Sequence, residues 1–258
     1  MDDRIDRDRV PRHIGVIMDG NGRWANVQNL PRIAGHARGE PALFDTIQGA
    51  LELGVEWLTV YAFSTENWMR ESDEVDFLMH FNADLLERRR DELDAQGVAI
   101  HFIGDKADPR IPDDLKERIR VSEERTAANT TMHLVFAFSY GGRLEIVEAT
   151  KRLAARVEAG EIAVADIDEA ALGAAMYLPE MPEPELIIRS SGEQRTSNFL
   201  LWQSAYSEFV FTPVLWPDFD RNTLFDCVVE YQHRERRFGV AQDAPVVTDG
   251  STAINDQT

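Results

Sequence analysis

The sequence is poor in several features whose abundance would define a class of protein. Its 258 residues include a single cysteine, Cys227, which excludes an internal disulfide framework and suits a reducing compartment. No apolar run approaches the roughly 18–20 residues that cross a bilayer. The charged N-terminus also lacks the apolar core of a signal peptide. We therefore expect a soluble, cytoplasmic protein.

Positive charge is also scarce. Lys and Arg number 27 against 46 Asp and Glu, which gives a formal net charge of −19. Such a surface repels nucleic-acid backbones and anionic lipid, so nucleic acid is not expected as a partner. Arginines nevertheless cluster in a few segments of the chain. These clusters predict contacts with one small anion.

The length and the 43% apolar content fit one α/β domain better than two small ones. Short β-branched or aromatic runs alternate with longer amphipathic runs, which predicts a mostly parallel central sheet of about six strands flanked by helices. Strands are predicted at 13–18, 57–63, 98–103, 132–138, 185–188 and 208–212. Helices are predicted at 39–53, 72–96, 112–129, 142–158, 166–176 and 221–238. The domain would span 13–238, after a charged extension at 1–12 and before a polar, disordered tail at 239–258.

Three polar clusters directly follow predicted strands, at 19–24, 64–70 and 189–197. The carboxyl ends of parallel strands meet at one edge of a sheet, where ligands bind. We therefore expect these clusters to form a single site.

The first cluster contains Gly20-Asn-Gly-Arg-Trp-Ala25, which matches the dinucleotide fingerprint G-x-G-x-x-A. A dinucleotide loop opens directly into a long helix, but Pro31 interrupts this segment and the next convincing helix is predicted to begin near Gly39. Asp19 would also face the phosphates. The segment therefore favours a metal-assisted phosphate site over a dinucleotide loop. In such a site Asp19 would hold Mg²⁺ and Arg23 would bind phosphate oxygens. The plain alternative is a turn aspartate and a solvated arginine.

The other clusters extend the same chemistry. His36 precedes a predicted helix, whose amino end attracts anions. Arg189, Arg195 and Ser197 suit a second diphosphate, and Glu208 is a candidate second metal carboxylate or an ordinary strand-end residue. The remaining histidines considered are read as ordinary surface or core residues: His80, His101, His133 and His233.

Four segments together resemble the cis-prenyltransferases, the undecaprenyl diphosphate synthase family. They read H-I-G-V-I-M-D-G-N-G-R-W-A, G-H-A-R-G, Y-A-F-S-T-E-N-W-M-R and I-R-S-S-G-E-Q-R-T-S-N-F-L-L-W-Q-S-A-Y-S-E-F. The resemblance spans about 13–238. It implies condensation of isopentenyl diphosphate with an allylic diphosphate to form a double bond in the cis geometry, with Mg²⁺ as cofactor and a homodimer as the assembly. A peripheral membrane contact for product release stays open.

The resemblance also assigns roles. Asp19 and Glu208 would bind the metal, and Asn67 would lie near the reacting carbons and assist proton removal. The positions that it assigns to substrate binding are Gly20, Asn21, Gly22, Arg23, Trp24, Arg32, His36, Ser64, Thr65, Glu66, Trp68, Arg70, Arg189, Arg195, Thr196 and Ser197. The family usually reads Arg-Thr-Gly-Gly-Glu where this chain reads Arg-Ser-Ser-Gly-Glu at 189–193. This departure predicts altered hydrogen bonding around the second diphosphate.

The product length depends on how deep an apolar tunnel runs. We hypothesise that Leu85, with Phe81, closes the tunnel early and gives C15 (2Z,6E)-farnesyl diphosphate from geranyl diphosphate. Three alternatives remain open: a long-chain synthase of C50–C55 lipid carriers, a non-catalytic binding subunit and a nucleotide-dependent enzyme.

Overall fold

A computed structural model describes residues 2–234, except for the side chains at positions 82 and 86. Six strands form one sheet in the order β3-β4-β2-β1-β5-β6, and every neighbouring pair is parallel. The predicted α/β domain with a six-stranded parallel sheet is confirmed. The strands are β1 (His13–Ile17), β2 (Trp57–Ser64), β3 (Val98–Ile103), β4 (Met132–Tyr140), β5 (Leu186–Arg189) and β6 (Glu208–Phe211).

The sheet is buried on both faces, as the continuous apolar runs predict. Alternate side chains of β1 enter different cores: Ile14 and Val16 join the larger one and Ile17 the smaller. The helices are α1 (Asn21–Val27), α2 (Arg32–Leu53), α3 (Ser72–Ala95), α4 (Asp113–Thr126), α5 (Gly142–Glu158), α6 (Glu169–Ala174) and α7 (Arg221–Gln232). None of them is long and apolar enough to cross a bilayer, within residues 2–234.

The segment between β1 and residue 39 differs from the prediction. It contains helix α1, and α2 begins at Arg32, seven positions before the predicted start. Pro31 separates the two helices and caps α2 with a φ of −57°, because the fixed φ of proline suits the beginning of a helix. Gly35 of α2 packs directly against the main-chain carbonyl of Asn21 in α1. This tertiary contact favours a short helix that propensity alone does not predict.

The first and last segments of the described residues are connected by hydrogen bonds. The main-chain amide of Asp6 donates to Gln232 Oε1 (3.0 Å), and Gln232 Nε2 donates to the carbonyl of Asp6 (2.7 Å). Helix α7 ends at Gln232, earlier than the predicted position 238. The boundary after residue 12 stays a prediction, and the predicted tail at 239–258 lies outside the described residues.

The strand order creates a crevice between β1 and β5. After β1 the chain crosses to β2 on one side, whereas after β5 it continues to β6 on the other side. Connections that leave neighbouring parallel strands in opposite directions open a cleft at their carboxyl ends. Asp19 follows β1 and Arg189 ends β5, so both lie at this cleft.

Candidate active site

Two adjoining cavities open at the carboxyl edge of the sheet. The first cavity is bordered by α1, α2 and α3, and the second by the segments that follow β2 and β5. They have a shared wall, whose members line both cavities: Met18, Asp19, Tyr61, Asn67 and Arg70. The three polar clusters that sequence reasoning assigned to one site therefore do meet at one place.

Asp19 lies at the centre of the shared wall. Its Oδ2 atom accepts a hydrogen bond from Arg189 (2.8 Å) and is 3.6 Å from Arg23. Burial raises the pKa of Asp19, but the hydrogen bond and the positive charge of Arg189 outweigh burial and lower it. The Ser190 hydroxyl accepts from the Asp19 amide (2.8 Å) and donates to the Asp19 carbonyl (2.6 Å), which fixes the backbone of this residue. Asp19 is thus an ionised carboxylate held in one position.

Arg189 lines the second cavity. Its side chain is only 4% exposed, and it donates to the carbonyl of Arg195 (2.5 Å) and to Ser197 Oγ (2.7 Å) as well as to Asp19. A buried guanidinium with three oxygen partners fixes the segment that follows β5. Its Nε atom is buried without a hydrogen-bond partner.

Arg23 and Arg195 both pair with one carboxylate, Glu193, which the sequence analysis did not predict as a site residue. Glu193 lies 3.3 Å from Arg23 and 2.5 Å from Arg195, so it joins the first cluster to the third. Arg23 also donates to the carbonyl (3.0 Å) and the hydroxyl (2.5 Å) of Ser191. Glu193 therefore holds two half-exposed guanidinium groups close to each other.

A second cationic group surrounds Glu74 at the mouth of the first cavity. Glu74 contacts Arg70 at 2.8 Å, His36 at 3.2 Å and Arg32 at 3.3 Å. Burial lowers the pKa of His36, so its imidazole is neutral at neutral pH; Glu74 only partly opposes this. Glu74 was also missed; the available signal was its position four residues after Arg70 in the first turn of a helix.

The first cavity has an apolar interior below this polar mouth. The residues that form it are Leu43, Leu78, Phe81, Leu85, Phe136 and Trp216. Leu85 is 4% exposed and lies on α3 together with Phe81. The second cavity has no comparable set of aliphatic side chains among its lining residues. The two cavities thus suit different ligands, one with an apolar tail and one without.

Asn67 is positioned by a turn. Residues Thr65–Met69 form a 3-10 helix after β2, and the Ser64 amide donates to Asn67 Oδ1 (3.1 Å). A main-chain amide can only donate, so the amide oxygen of Asn67 is already engaged. Glu66 accepts from Asn198 (3.0 Å), which ties the same turn to the segment after β5.

Four predicted binding residues line neither cavity: Trp24, Thr65, Trp68 and Thr196. The Trp24 indole donates to Asp218 (2.9 Å), and the Trp68 indole donates to Ser139 (3.0 Å). Direct contact between these four side chains and a ligand therefore stays a prediction. The other predicted binding positions from Gly20 to Ser197 line one cavity or both.

The predicted metal role of Glu208 stays a prediction, and within one chain this residue lies far from Asp19. It begins β6 in register with Leu186 at the beginning of β5, which in turn pairs with Ile14. Asp19 lies five positions beyond Ile14, so about 15 Å separates the two carboxylates along the strand direction. Glu208 pairs with Arg234 (3.0 Å) instead. A single chain does not bring Glu208 to Asp19.

The donor atoms at Asp19 fit magnesium in one specific way. Residues 2–234 contain no cluster of three or more His, Cys, Asp or Glu that could hold a metal by themselves. Mg²⁺, however, is commonly bound through one carboxylate together with phosphate oxygens and water. Asp19, at the wall between two cavities with cationic mouths, can supply that carboxylate.

Comparison with known proteins agrees with this geometry. The family model described as putative undecaprenyl diphosphate synthase matches residues 17–239. A trans,polycis-polyprenyl diphosphate synthase ((2Z,6E)-farnesyl diphosphate specific) from Thermobifida fusca is 50% identical over 97% of this chain and 88% of its own length. A decaprenyl diphosphate synthase from Mycobacterium tuberculosis is 46% identical over 91% of this chain and 78% of its own length.

Solved structures give the same result. The crystal structure of lavandulyl diphosphate synthase from Lavandula x intermedia, in complex with dimethylallyl diphosphate, superposes with a TM-score of 0.87 at 39% identity. The superposition covers 90% of this chain and 100% of the lavandulyl diphosphate synthase chain. The fold, the paired cavities and these relatives lead to one conclusion: the chain belongs to the undecaprenyl diphosphate synthase family of cis-prenyltransferases.

Proposed function

We propose that this chain condenses isopentenyl diphosphate with an allylic diphosphate, extending the prenyl chain by one cis unit and releasing diphosphate. The observation that supports this most is the shared wall between two cavities, of which only the first has an apolar interior. An allylic substrate has a prenyl tail and fits the first cavity, whereas isopentenyl diphosphate is small and polar enough for the second. Their reacting carbons would then meet at Asn67 and Asp19.

The cationic side chains suit the charge that develops in this reaction. Cleavage of the carbon–oxygen bond of the allylic diphosphate leaves a highly charged group, and guanidinium groups placed beforehand stabilise that charge as it forms. The first cavity is lined by Arg23, Arg32 and Arg70, which would stabilise the departing diphosphate. Arg195 and Ser197, held by Arg189, would bind the second diphosphate.

Prenyltransferases of this family generally depend on Mg²⁺. Asp19 is the residue that would hold the ion, and the bound ion would neutralise charge on the departing diphosphate. Arg189 keeps Asp19 ionised and oriented for this role. Only this carboxylate of the chain is proposed as a ligand.

The side chain of Asn67 is proposed to orient substrate and not to act as the base. Its amide oxygen accepts the Ser64 amide, and a neutral carboxamide is a weak base. The proton that leaves the condensed intermediate would then pass to the departing diphosphate or to water. The apolar interior of the first cavity would shield the allylic cation from water before the new bond forms.

For the product we propose C15 (2Z,6E)-farnesyl diphosphate, made from geranyl diphosphate. The support is the placement of Leu85 and Phe81 in the wall of the first cavity, where bulky side chains limit the room for a tail. A long-chain product is the second candidate, since the relatives include a polyprenyl and a decaprenyl synthase. A homodimer is also proposed, and sedimentation or light scattering of the purified protein tests it.

The test of the function is an incubation of the purified chain with labelled isopentenyl diphosphate, Mg²⁺ and either geranyl or farnesyl diphosphate, followed by separation of the products by length. We expect a single C15 product from geranyl diphosphate. The Asp19→Ala variant is the matched control and should lose at least about a hundredfold in rate. Absence of product with either primer would contradict the proposal and favour a binding subunit.

The product length has its own test. Leu85→Ala opens space in the first cavity, so the products should shift towards longer chains. Leu93→Ala is the matched control, because Leu93 is buried on the same helix (2% exposed) but lines neither cavity. Both variants should lose about 2–5 kcal/mol of stability. An unchanged product distribution for Leu85→Ala would show that this residue does not limit the chain.

A further inference from the structure

Trp68 lies in the 3-10 turn of the active site but lines neither cavity. Its indole N–H donates to Ser139 Oγ (3.0 Å), and its ring packs edge-on against Phe63 with centroids 4.8 Å apart. The guanidinium of Arg110 lies over the ring, 4.4 Å from its centroid. A large aromatic side chain with three fixed neighbours serves as an attachment point for the turn that carries it.

Arg110 is itself held in place. Asp108 accepts from Arg110 Nε (2.9 Å), from Arg110 Nη2 (2.6 Å) and from the Arg110 main-chain amide (2.9 Å). The carboxylate is 5% exposed, whereas the Arg110 side chain is 56% exposed and can cover the indole from the solvent side. Ser139 Oγ is also within 3.4 Å of Asp108 Oδ2, which closes a ring of four side chains. We name Asp108, Arg110, Ser139 and Trp68 the indole latch.

Burying a carboxylate is costly unless it is paired and hydrogen-bonded, and a forked guanidinium is the partner that meets this need best. The same planar group also stacks favourably on an aromatic ring. Arg110 therefore joins the buried carboxylate to the face of the indole, and Ser139 joins it to the indole N–H.

The latch acts on the shared wall through the backbone. Trp68 directly follows Asn67 and precedes Arg70 by two positions, and Asn67 and Arg70 both line the two cavities. The turn is also attached through the Ser64–Asn67 capping box, the Glu66–Asn198 hydrogen bond and the Arg70–Glu74 ion pair. Trp68 is the residue of the turn that packs against the larger core. A shift of the indole would therefore move the side chains that orient the two substrates.

We infer that Arg110, supported by Asp108, is a positioning residue for prenyl transfer: it clamps Trp68 and thereby holds Asn67 in the wall between the two substrates. This inference rests on the proposed function, because it concerns the alignment of the two substrates. Arg110 lines neither cavity, so its effect on the reaction passes through Trp68.

The test is a double-mutant cycle between Arg110→Met and Trp68→Phe, with kcat, KM for isopentenyl diphosphate and thermal midpoint measured for each variant. Methionine keeps the apolar stem but removes the fork. Arg110→Met should lower kcat about tenfold or more, because small misplacements of reacting groups are costly. In the Trp68→Phe background the same substitution should change kcat less than twofold. Arg110→Lys keeps the charge and should retain part of the rate.

Arg120→Met is the matched control, since Arg120 is an exposed arginine of α4 paired with Glu117 and Glu124 and not with Trp68. It should leave kcat unchanged. An unchanged kcat for Arg110→Met would overturn the inference, and so would equal losses in the two backgrounds. If Arg110→Met lowers the thermal midpoint by many degrees, Arg110→Lys takes its place in the double-mutant cycle. The loss of kcat caused by Arg110→Lys with and without Trp68→Phe then tests the inference.

A readout independent of turnover separates this inference from the proposed function. The contribution of Trp68 to the fluorescence is obtained by subtracting the tryptophan emission of the Trp68→Phe variant from that of the wild-type chain. Arg110→Met should make that contribution more accessible to a neutral quencher such as acrylamide. If the wild-type chain makes no prenyl product but the quenching changes, the proposed function fails while the latch stands; unchanged quenching overturns the latch itself.

Discussion

Asn67 illustrates how a single hydrogen bond assigns a role to a side chain. Asn67→Asp would still accept the Ser64 amide, so the turn should keep its shape and the thermal midpoint should change little. The new carboxylate, however, would stand between two diphosphates and repel both. We expect KM to rise for both substrates and kcat to fall by about a hundredfold, measured by initial rates over both substrate concentrations.

The opposite hypothesis makes a different forecast for the same variant. If Asn67 removes the proton, a carboxylate is a stronger base and should preserve or raise the rate. Asn67→Ala serves as the reference, because it removes the hydrogen bond to Ser64 and should cost about 1 kcal/mol of stability. A rate for Asn67→Asp at or above that of the wild-type chain would contradict the positioning role.

Which site residues the sequence reveals depends on where they lie along the chain. Asp19, Ser64 and Arg189 end or follow strands, so the periodicity of the strands predicts that they meet. Glu193 is a counter-ion of two arginines, and nothing in its local sequence distinguishes it from the many other glutamates. For Glu74 the only local signal is its spacing of four residues from Arg70. The direction of the Trp68 side chain depends on Ser139 and Arg110, which come from distant segments.

At the scale of elements, the contact between α1 and α2 controls one side of the first cavity. A Cβ atom at Gly35 would lie 2.0 Å from the main-chain oxygen of Asn21, which cannot yield without moving α1. Gly35→Ala should therefore cost about 1–3 kcal/mol and displace Arg23 from the cavity, with a fall in activity. Denaturant unfolding and the prenyl transfer assay measure the two effects.

Gly173→Ala is the matched substitution in a helix where space is available. The nearest heavy atom to its Cβ would be Trp202 Nε1 at 3.9 Å. Alanine favours helix over glycine, so this variant should be neutral or more stable by up to about 1 kcal/mol. Equal stability and activity of the two alanine variants would show that the α1–α2 contact has no special role.

The same contact explains why α1 escaped prediction from sequence. The helix has seven residues, fewer than a helix needs to be stable alone, and its apolar pattern is too short to show a period. Longer helices such as α5 were predicted with the observed bounds, because their amphipathic pattern repeats over several turns.

At the scale of the whole molecule, acid stability should depend on a buried histidine. His13 Nδ1–H donates to the carbonyl of Pro182 (2.6 Å), and Nε2 lies 2.8 Å from the Thr59 hydroxyl. Burial lowers the pKa of His13 to about 4. The unfolded chain binds this proton at about pH 6.5 and the folded protein does not, so stability falls as the pH drops from 6.5 to 4. The loss from this one group is about 3 kcal/mol.

His13→Asn should flatten this part of the pH dependence, as measured by denaturant unfolding between pH 4 and pH 7.5. His36, His101 and His133 also have lowered pKa values, with burial as the main cause, so some slope should remain. The exposed His233→Asn is the control and should keep the wild-type slope. An identical slope for His13→Asn would show that folding does not lower the pKa of His13.

The order of the strands is the largest feature that the sequence did not reveal. The alternation of strand and helix predicts a parallel sheet, and short connections would place successive strands side by side. The chain instead puts β1 at the centre and pairs it with β5, far along the sequence. Such pairing depends on long-range packing, which local patterns do not encode.

The hydrogen bond between Asp19 and Arg189 joins residues 170 positions apart. Contacts this distant close late in folding, because loop-closure entropy delays them until much of the chain is ordered. During synthesis the aspartate therefore leaves the ribosome long before its partner exists, and β1 must wait for β5 with one edge unpaired. A nascent chain of this enzyme would be inactive and exposed to aggregation until its last third has been made.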